Sequence, residues 1–151
     1  MEKDSLHNYL HDFLIASTYA GIAFGNAGCG AVHAMSYPLG SIYHVPHGES
    51  NYVFFTEVFK TYERLNPNGK LEKLNKILAE ILNCSVENVF DEIENLLYKI
   101  LPKKTLQGYG AKEEDLDIFT DNVITKQGRL MGNAYIHLDR DTIYNIYKSL
   151  Y

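Results

Sequence analysis

The 151-residue sequence predicts an all-α fold, and three observations carry that prediction. Apolar residues recur at the three-and-four spacing of a helical face, no segment sustains the alternation of a half-buried strand, and proline and glycine stand where helices would start or stop. A chain of this length suits one domain with a sizeable core.

Taken in order, Ser5 suits an N-cap, and Leu6, Tyr9, Leu10, Phe13 and Leu14 line one face of a helix running to about Phe24. Gly25, Asn26, Gly28 and Gly30 break that period. Ala31 to Tyr37 forms a short helix that Pro38 stops or bends. Pro46 suits the first turn of the next helix, which carries Tyr52, Val53, Phe55, Val58, Phe59 and Tyr62 and ends before the turn Asn66-Pro67-Asn68-Gly69. Leu71, Leu74, Ile77, Leu78 and Ile81 mark a fourth helix. Ser85 caps a fifth, with Val89, Phe90, Ile93 and Leu97, stopped by Pro102. The acidic run Glu113, Glu114, Asp115 favours another helix start, ending near Gly128, and a last helix begins at Asp139 and carries Ile143, Ile146, Tyr147 and Leu150.

Charge narrows the function classes. Lys and Arg total 14 against 19 Asp and Glu, a net charge of −5 with no basic block, which excludes nucleic acid as the expected partner. Cys29 and Cys84 have no CxxC spacing, so neither a thiolate metal knuckle nor a disulfide scaffold is expected, and a reducing cytoplasm fits. Phe13 to Gly48 contains no Asp, Glu, Lys or Arg, so that stretch is expected to be mostly buried. It does not read as a membrane span, because Ser17, Thr18, Asn26, His33 and Ser36 interrupt its short apolar pieces. Nor does Met1-Glu2-Lys3-Asp4 open a secretory signal.

Within the uncharged stretch, His33, His44 and His47 fall close together. Burial without charge partners favours neutral imidazoles, which are ligands for first-row metals, and a helix, a turn and a second helix can return His47 to the level of His33. Buried histidines that merely hydrogen-bond to backbone are the other reading. Two ligands also leave a metal site incomplete, since a catalytic zinc normally has about three protein ligands. His7 and His11, at i, i+4, read as a solvated helix face. Cys29 reads as a small packing residue, and Tyr144, Tyr147 and Tyr151 as a packing stripe.

The run Ala20-Gly21-Ile22-Ala23-Phe24-Gly25-Asn26-Ala27-Gly28-Cys29-Gly30-Ala31-Val32-His33-Ala34-Met35, then Pro38-Leu39-Gly40 and Val45-Pro46-His47-Gly48, resembles the signature of the iron-containing, group III metal-dependent alcohol dehydrogenases. The segments Tyr109-Gly110-Ala111, Asp139-Arg140-Asp141 and Ile146-Tyr147 are similar to that family's C-terminal helices, so the resemblance spans nearly the whole chain, most strongly at residues 16–59. It implies the C-terminal helical-bundle domain of the dehydroquinate synthase-like fold. His33 and His47 match two histidine ligands of the family's metal, Fe2+ or Zn2+. The family's other ligand pair, an Asp and a His four residues later, has no counterpart here. Its glycine-rich pyrophosphate loop is also missing.

The resemblance therefore implies that residues 1–151 are a metal-binding helical domain, without the nucleotide-binding α/β domain that holds NAD or NADP, and inactive alone. Tyr37 stands where most of the family has a second histidine. With His44 and the run Asn51-Tyr52 and Phe54-Phe55-Thr56-Glu57, it resembles the branch acting on 4-hydroxybutyrate. Tyr37 and His44 would contact substrate or relay a proton; a packed aromatic is the other reading of Tyr37. Asn26 either binds substrate or cofactor or makes a cap-like hydrogen bond. The expected partner is a small hydroxy acid or alcohol, with a homo-oligomer left open. The rival from another class is a stand-alone helical metal-binding or interaction domain without redox activity.

Overall fold

The computed structural model describes residues 3–151, with side chains from His7 onward. Eight α-helices follow one another: α1 Lys3–Ala27, α2 Ala31–Tyr43, α3 His47–Leu65, α4 Lys70–Leu82, α5 Val89–Ile100, α6 Asp115–Lys126, the single turn α7 Gly128–Met131, and α8 Arg140–Ser149. No strand occurs among the described residues. The all-α expectation holds.

The core forms where α2 packs on α3, α6 and α7, and where α8 closes over α6 and α3. Met35, Leu39, Val53, Phe54, Phe119, Ile143 and Ile146 are all buried there, around a buried Tyr147. The Tyr147 ring meets Phe54 edge-on at 5.3 Å, and its hydroxyl donates to the Met35 carbonyl at 2.8 Å. Burial without its own hydrogen bond would leave that hydroxyl costly, so the bond fixes how α8 lies across α2. Helices α4 and α5 pair with each other, and α5 reaches α3.

Several local expectations change. Ser5 lies inside α1 rather than at its N-cap. Helix α2 runs through Pro38 to Tyr43 instead of stopping there. Proline removes one N–H from the ladder, but Ala31, Ala34, Met35, Pro38 and Leu39 are buried together on one packed face, and that burial outweighs the lost bond. Pro46 sits at the N-cap of α3, one residue before its first turn, and its carbonyl accepts from the Ser50 N–H at 2.8 Å. Ser85 precedes a 3-10 turn, Val86–Asn88, and makes no side-chain cap bond. Asp139 does cap α8, accepting from the Thr142 N–H at 2.8 Å.

The largest departure is α1. The uncharged stretch was expected to be mostly buried, yet every residue from His7 to Ala27 is exposed, including Phe13 at 61%, Leu14 at 68% and Tyr19 at 69%. Among the described residues nothing buries its apolar face. His7 and His11 are exposed as expected. No described helix is long and apolar enough to cross a membrane.

Candidate metal centre

The connection from α1 to α2 sets the first histidine. Gly28 adopts φ +72, and the Asn133 side-chain amide donates to the Cys29 carbonyl at 3.1 Å. A Cβ on Gly28 would lie 2.8 Å from Asn133 Nδ2, and one on Gly30 would lie 3.3 Å from the Asn133 carbonyl oxygen. Glycine at both positions therefore lets residues 28–30 lie against the Asn133–Ala134 backbone, and α2 begins directly after. His33 falls in its first turn. Cys29 is half-buried against the core, as a packing residue.

The connection from α2 to α3 sets the second. His44 takes the left-handed conformation, φ 55, at the C-cap of α2, a region that histidine tolerates better than most residues. Val45 is buried, Pro46 opens α3, and His47 is its first residue. Because α2 and α3 pack side by side, the two imidazoles meet with ring centroids 5.3 Å apart. The Tyr37 ring, one turn along α2 from His33, lies 6.2 Å from that of His47, and the Phe24 ring lies 6.2 Å from that of His33.

These imidazoles suit a shared ion. With metal–nitrogen bonds of about 2.0–2.1 Å, two rings on one ion have centroids about 4.5–5.2 Å apart, close to the spacing seen. Burial, followed by the neighbouring His47, lowers the His33 pKa below its ordinary 6.5 and so favours the neutral, ligating form. Among the described residues no group of three or more His, Cys, Asp or Glu side chains gathers, so His33 and His47 meet there without a third such group, where a closed site would need more.

Burial in this region is less than expected. His33 is half-buried, while His44, His47 and Tyr37 are exposed, because the face of α2 and α3 that carries them opens outward. A polar lock nevertheless holds the pair. Ser36 Oγ is 2.8 Å from Asn51 Oδ1 and 2.9 Å from the His33 carbonyl, and Asn51 Nδ2 is 3.0 Å from His47 Nε2. Just beyond His47, Glu49 accepts from the Tyr109 hydroxyl at 2.8 Å; burial and this partner both raise the Tyr109 pKa. Asn26 lies on exposed α1, its amide donating to the Ile22 carbonyl at 2.8 Å, so its observed bond is local to the helix end.

The residues missed in sequence are the supporting ones. Asn51 stands one turn after His47, a spacing that was legible. Asn133 lies 104 residues from Cys29 and carries no local signal. A mainly apolar cavity of about 800 Å³, bordered by Phe24, His33, Phe59, Lys70, Asn133 and Tyr135, also emerges only from the packing.

A Gly-rich turn before His33 and a Pro turn before His47 thus set two imidazoles side by side in an all-helical bundle. The chain belongs to the Fe-containing alcohol dehydrogenase family, whose C-terminal domain it matches over residues 3–151. It is 56% identical to 4-hydroxybutyrate dehydrogenase of Clostridium kluyveri, over 94% of this chain and 38% of that protein. It is 32% identical to long-chain-alcohol dehydrogenase 1 of Geobacillus thermodenitrificans, over 93% of this chain and 36% of that protein. Among solved structures, an archaeal halo-thermophilic alcohol dehydrogenase from a Red Sea brine pool shares the fold, with TM-score 0.80 and 20% identity over 91% of this chain and 36% of its own. A 1,3-propanediol oxidoreductase matches with TM-score 0.68 and 29% identity over 87% of this chain and 35% of its own. The chain thus spans less than two fifths of the length of these relatives.

Proposed function

We propose that this chain is the metal-holding helical part of a nicotinamide-dependent alcohol dehydrogenase that interconverts 4-hydroxybutyrate and succinate semialdehyde. The observation that carries the reading is the meeting of His33 and His47 at 5.3 Å in a chain 56% identical to a 4-hydroxybutyrate dehydrogenase. The exposed apolar residues of α1 support the view that the domain works against further polypeptide, since an apolar face of that extent is normally covered. Further ligands and the dinucleotide site would come from that polypeptide.

In this reading His33 and His47 hold Fe2+ or Zn2+. Bound there, such an ion supplies Lewis acidity toward an alcohol oxygen, while NAD or NADP accepts the hydride. The chain's own residues do the positioning. Before the ion binds, Asn51, held by the Ser36 hydroxyl of α2, donates to His47 Nε2 and sets the ring beside His33. Tyr37, whose ring lies 6.2 Å from that of His47, would hydrogen-bond the substrate oxygen and accept its proton while giving up its own phenolic proton in the same step. His44, exposed on the turn between the two ligand helices, passes that proton to solvent.

The test is an assay of the full-length protein that carries this domain, following reduction of NAD and of NADP with 4-hydroxybutyrate before and after chelation. The reading expects metal-dependent turnover of the hydroxy acid with one of the two dinucleotides. Turnover that survives complete metal removal, or none with any primary alcohol, would contradict it.

A further inference from the structure

The sequence showed no cation for a substrate carboxylate within the uncharged stretch. The fold brings a lysine to the cavity beside His33. The cavity of about 800 Å³ that His33 borders has Phe55, Phe59, Leu71 and Leu74 among its walls, and among the described residues Lys70 is the one Lys or Arg that lines it. Such a cavity combines room for a methylene chain with a single positive charge, in a pocket that also touches a metal-ligating imidazole.

Three features argue that Lys70 is not there for the fold. It is the first residue of α4, and a positive charge at a helix N-terminus opposes the helix dipole. It forms no ion pair among the described residues, whereas Glu72, the acid in the same turn, is taken by Lys76 at 2.5 Å. No side chain caps the start of α4, so no acidic or hydroxyl group there neutralises Lys70 and the first amides add donors beside it. The turn is also held in place. The Tyr135 hydroxyl donates to the Asn68 carbonyl, and Tyr135 packs edge-on against Tyr62 with centroids 5.7 Å apart, both rings lining the cavity.

We infer that Lys70 binds the carboxylate of an ω-hydroxy acid whose hydroxyl end lies toward His33, so that this residue selects the acid over a plain primary alcohol. The inference rests on the dehydrogenase reading above. A lysine recognises carboxylate as a point charge with three donors, which tolerates chains of slightly different length. Another exposed pair of cations, Lys126 and Arg129, lines a separate depression with Tyr37 and serves as the comparison.

The experiment measures kcat/KM for 4-hydroxybutyrate and for 1-butanol in the full-length protein, and butyrate binding by calorimetry. Losing a charge-assisted hydrogen bond, Lys70→Met should lower the ratio of the two kcat/KM values by about 10- to 100-fold, mainly through KM for the acid, and weaken butyrate binding about as much. Lys70→Arg should recover most of both, and Arg129→Met should leave the ratio within about twofold. An unchanged ratio and unchanged butyrate affinity in folded Lys70→Met, with the parent oxidising the acid, would overturn the assignment of Lys70 and leave the dehydrogenase standing. A parent that oxidises 1-butanol but not the acid would overturn the hydroxy-acid reading and this inference with it.

Discussion

His47 Nε2 lies 3.0 Å from the side-chain amide of Asn51, one turn further along α3. With Ser36 donating to Asn51 Oδ1, the Asn51 NH2 donates to the imidazole, and the second ring nitrogen then carries the proton. Asn51 thereby links a ring on α3 to the buried Ser36 of α2. A metal taking the same lone pair requires that amide to turn away, so the lock sets the ring's position before an ion arrives.

Ser36→Ala removes the donor at the base of that lock and leaves the Asn51 oxygen without it. The expected cost is about 1 kcal/mol of stability, the net worth of a typical internal hydrogen bond. Thermal unfolding of the chain checks this, and an unchanged midpoint would show that the lock is not formed.

Gly28→Ala should be more costly than an ordinary surface change. A left-handed backbone costs a residue with a Cβ roughly 1–2 kcal/mol, and the new carbon would also press on Asn133 Nδ2. Denaturant unfolding measures the loss. Gly48→Ala, where a Cβ meets nothing within 4 Å, is the matched control.

Acid stability tests the ion-pair cluster between α3 and the end of α5. Burial would raise the Glu94 carboxyl, but hydrogen bonds from Lys103 and Lys60, each 2.7 Å, hold it down at about 2. A carboxyl lowered on folding stabilises at pH above its ordinary 4.5 and loses that contribution as pH falls toward about 2. Glu94→Gln should therefore flatten the stability profile across that interval. Lys103→Met should cost about 1 kcal/mol at neutral pH, the upper range for a partly exposed pair.

Burial contrasts test the placement of α1. Phe13→Ser and Leu14→Gln, at 61% and 68% exposure, should change the stability of this chain by about 0.5 kcal/mol or less. Phe54→Ala, fully buried against Tyr147, should cost about 3–5 kcal/mol. Equal losses in both regions would mean that α1 folds back onto the core.

The helices were legible because their signals are local: the Leu71 to Leu82 stripe, the Asp139 cap and the Asn66–Gly69 turn all stand where periodicity and turn chemistry placed them. The exposure of α1 was not, since an apolar face shows that a helix needs a partner and says nothing of where the partner lies. Pro38 misled for a related reason, a tertiary face overriding a local breaker. His33, His44 and His47 could be singled out together because they lie close in sequence, and it was the family resemblance that implied the pair His33 and His47. Lys70 and Asn133 could not, since only the packing of α4 and of the segment before α8 brings them to the cavity beside His33.

The central claim is that His33 and His47 hold one metal ion, and the direct measurement is metal content together with turnover in the full-length protein. Replacing either histidine by Ala removes a ligand nitrogen, so both variants should lose bound metal and activity in parallel while keeping their helical circular dichroism. His7→Ala, on the exposed face of α1, should retain both. Full metal occupancy and turnover in a folded His33→Ala or His47→Ala protein would contradict the account.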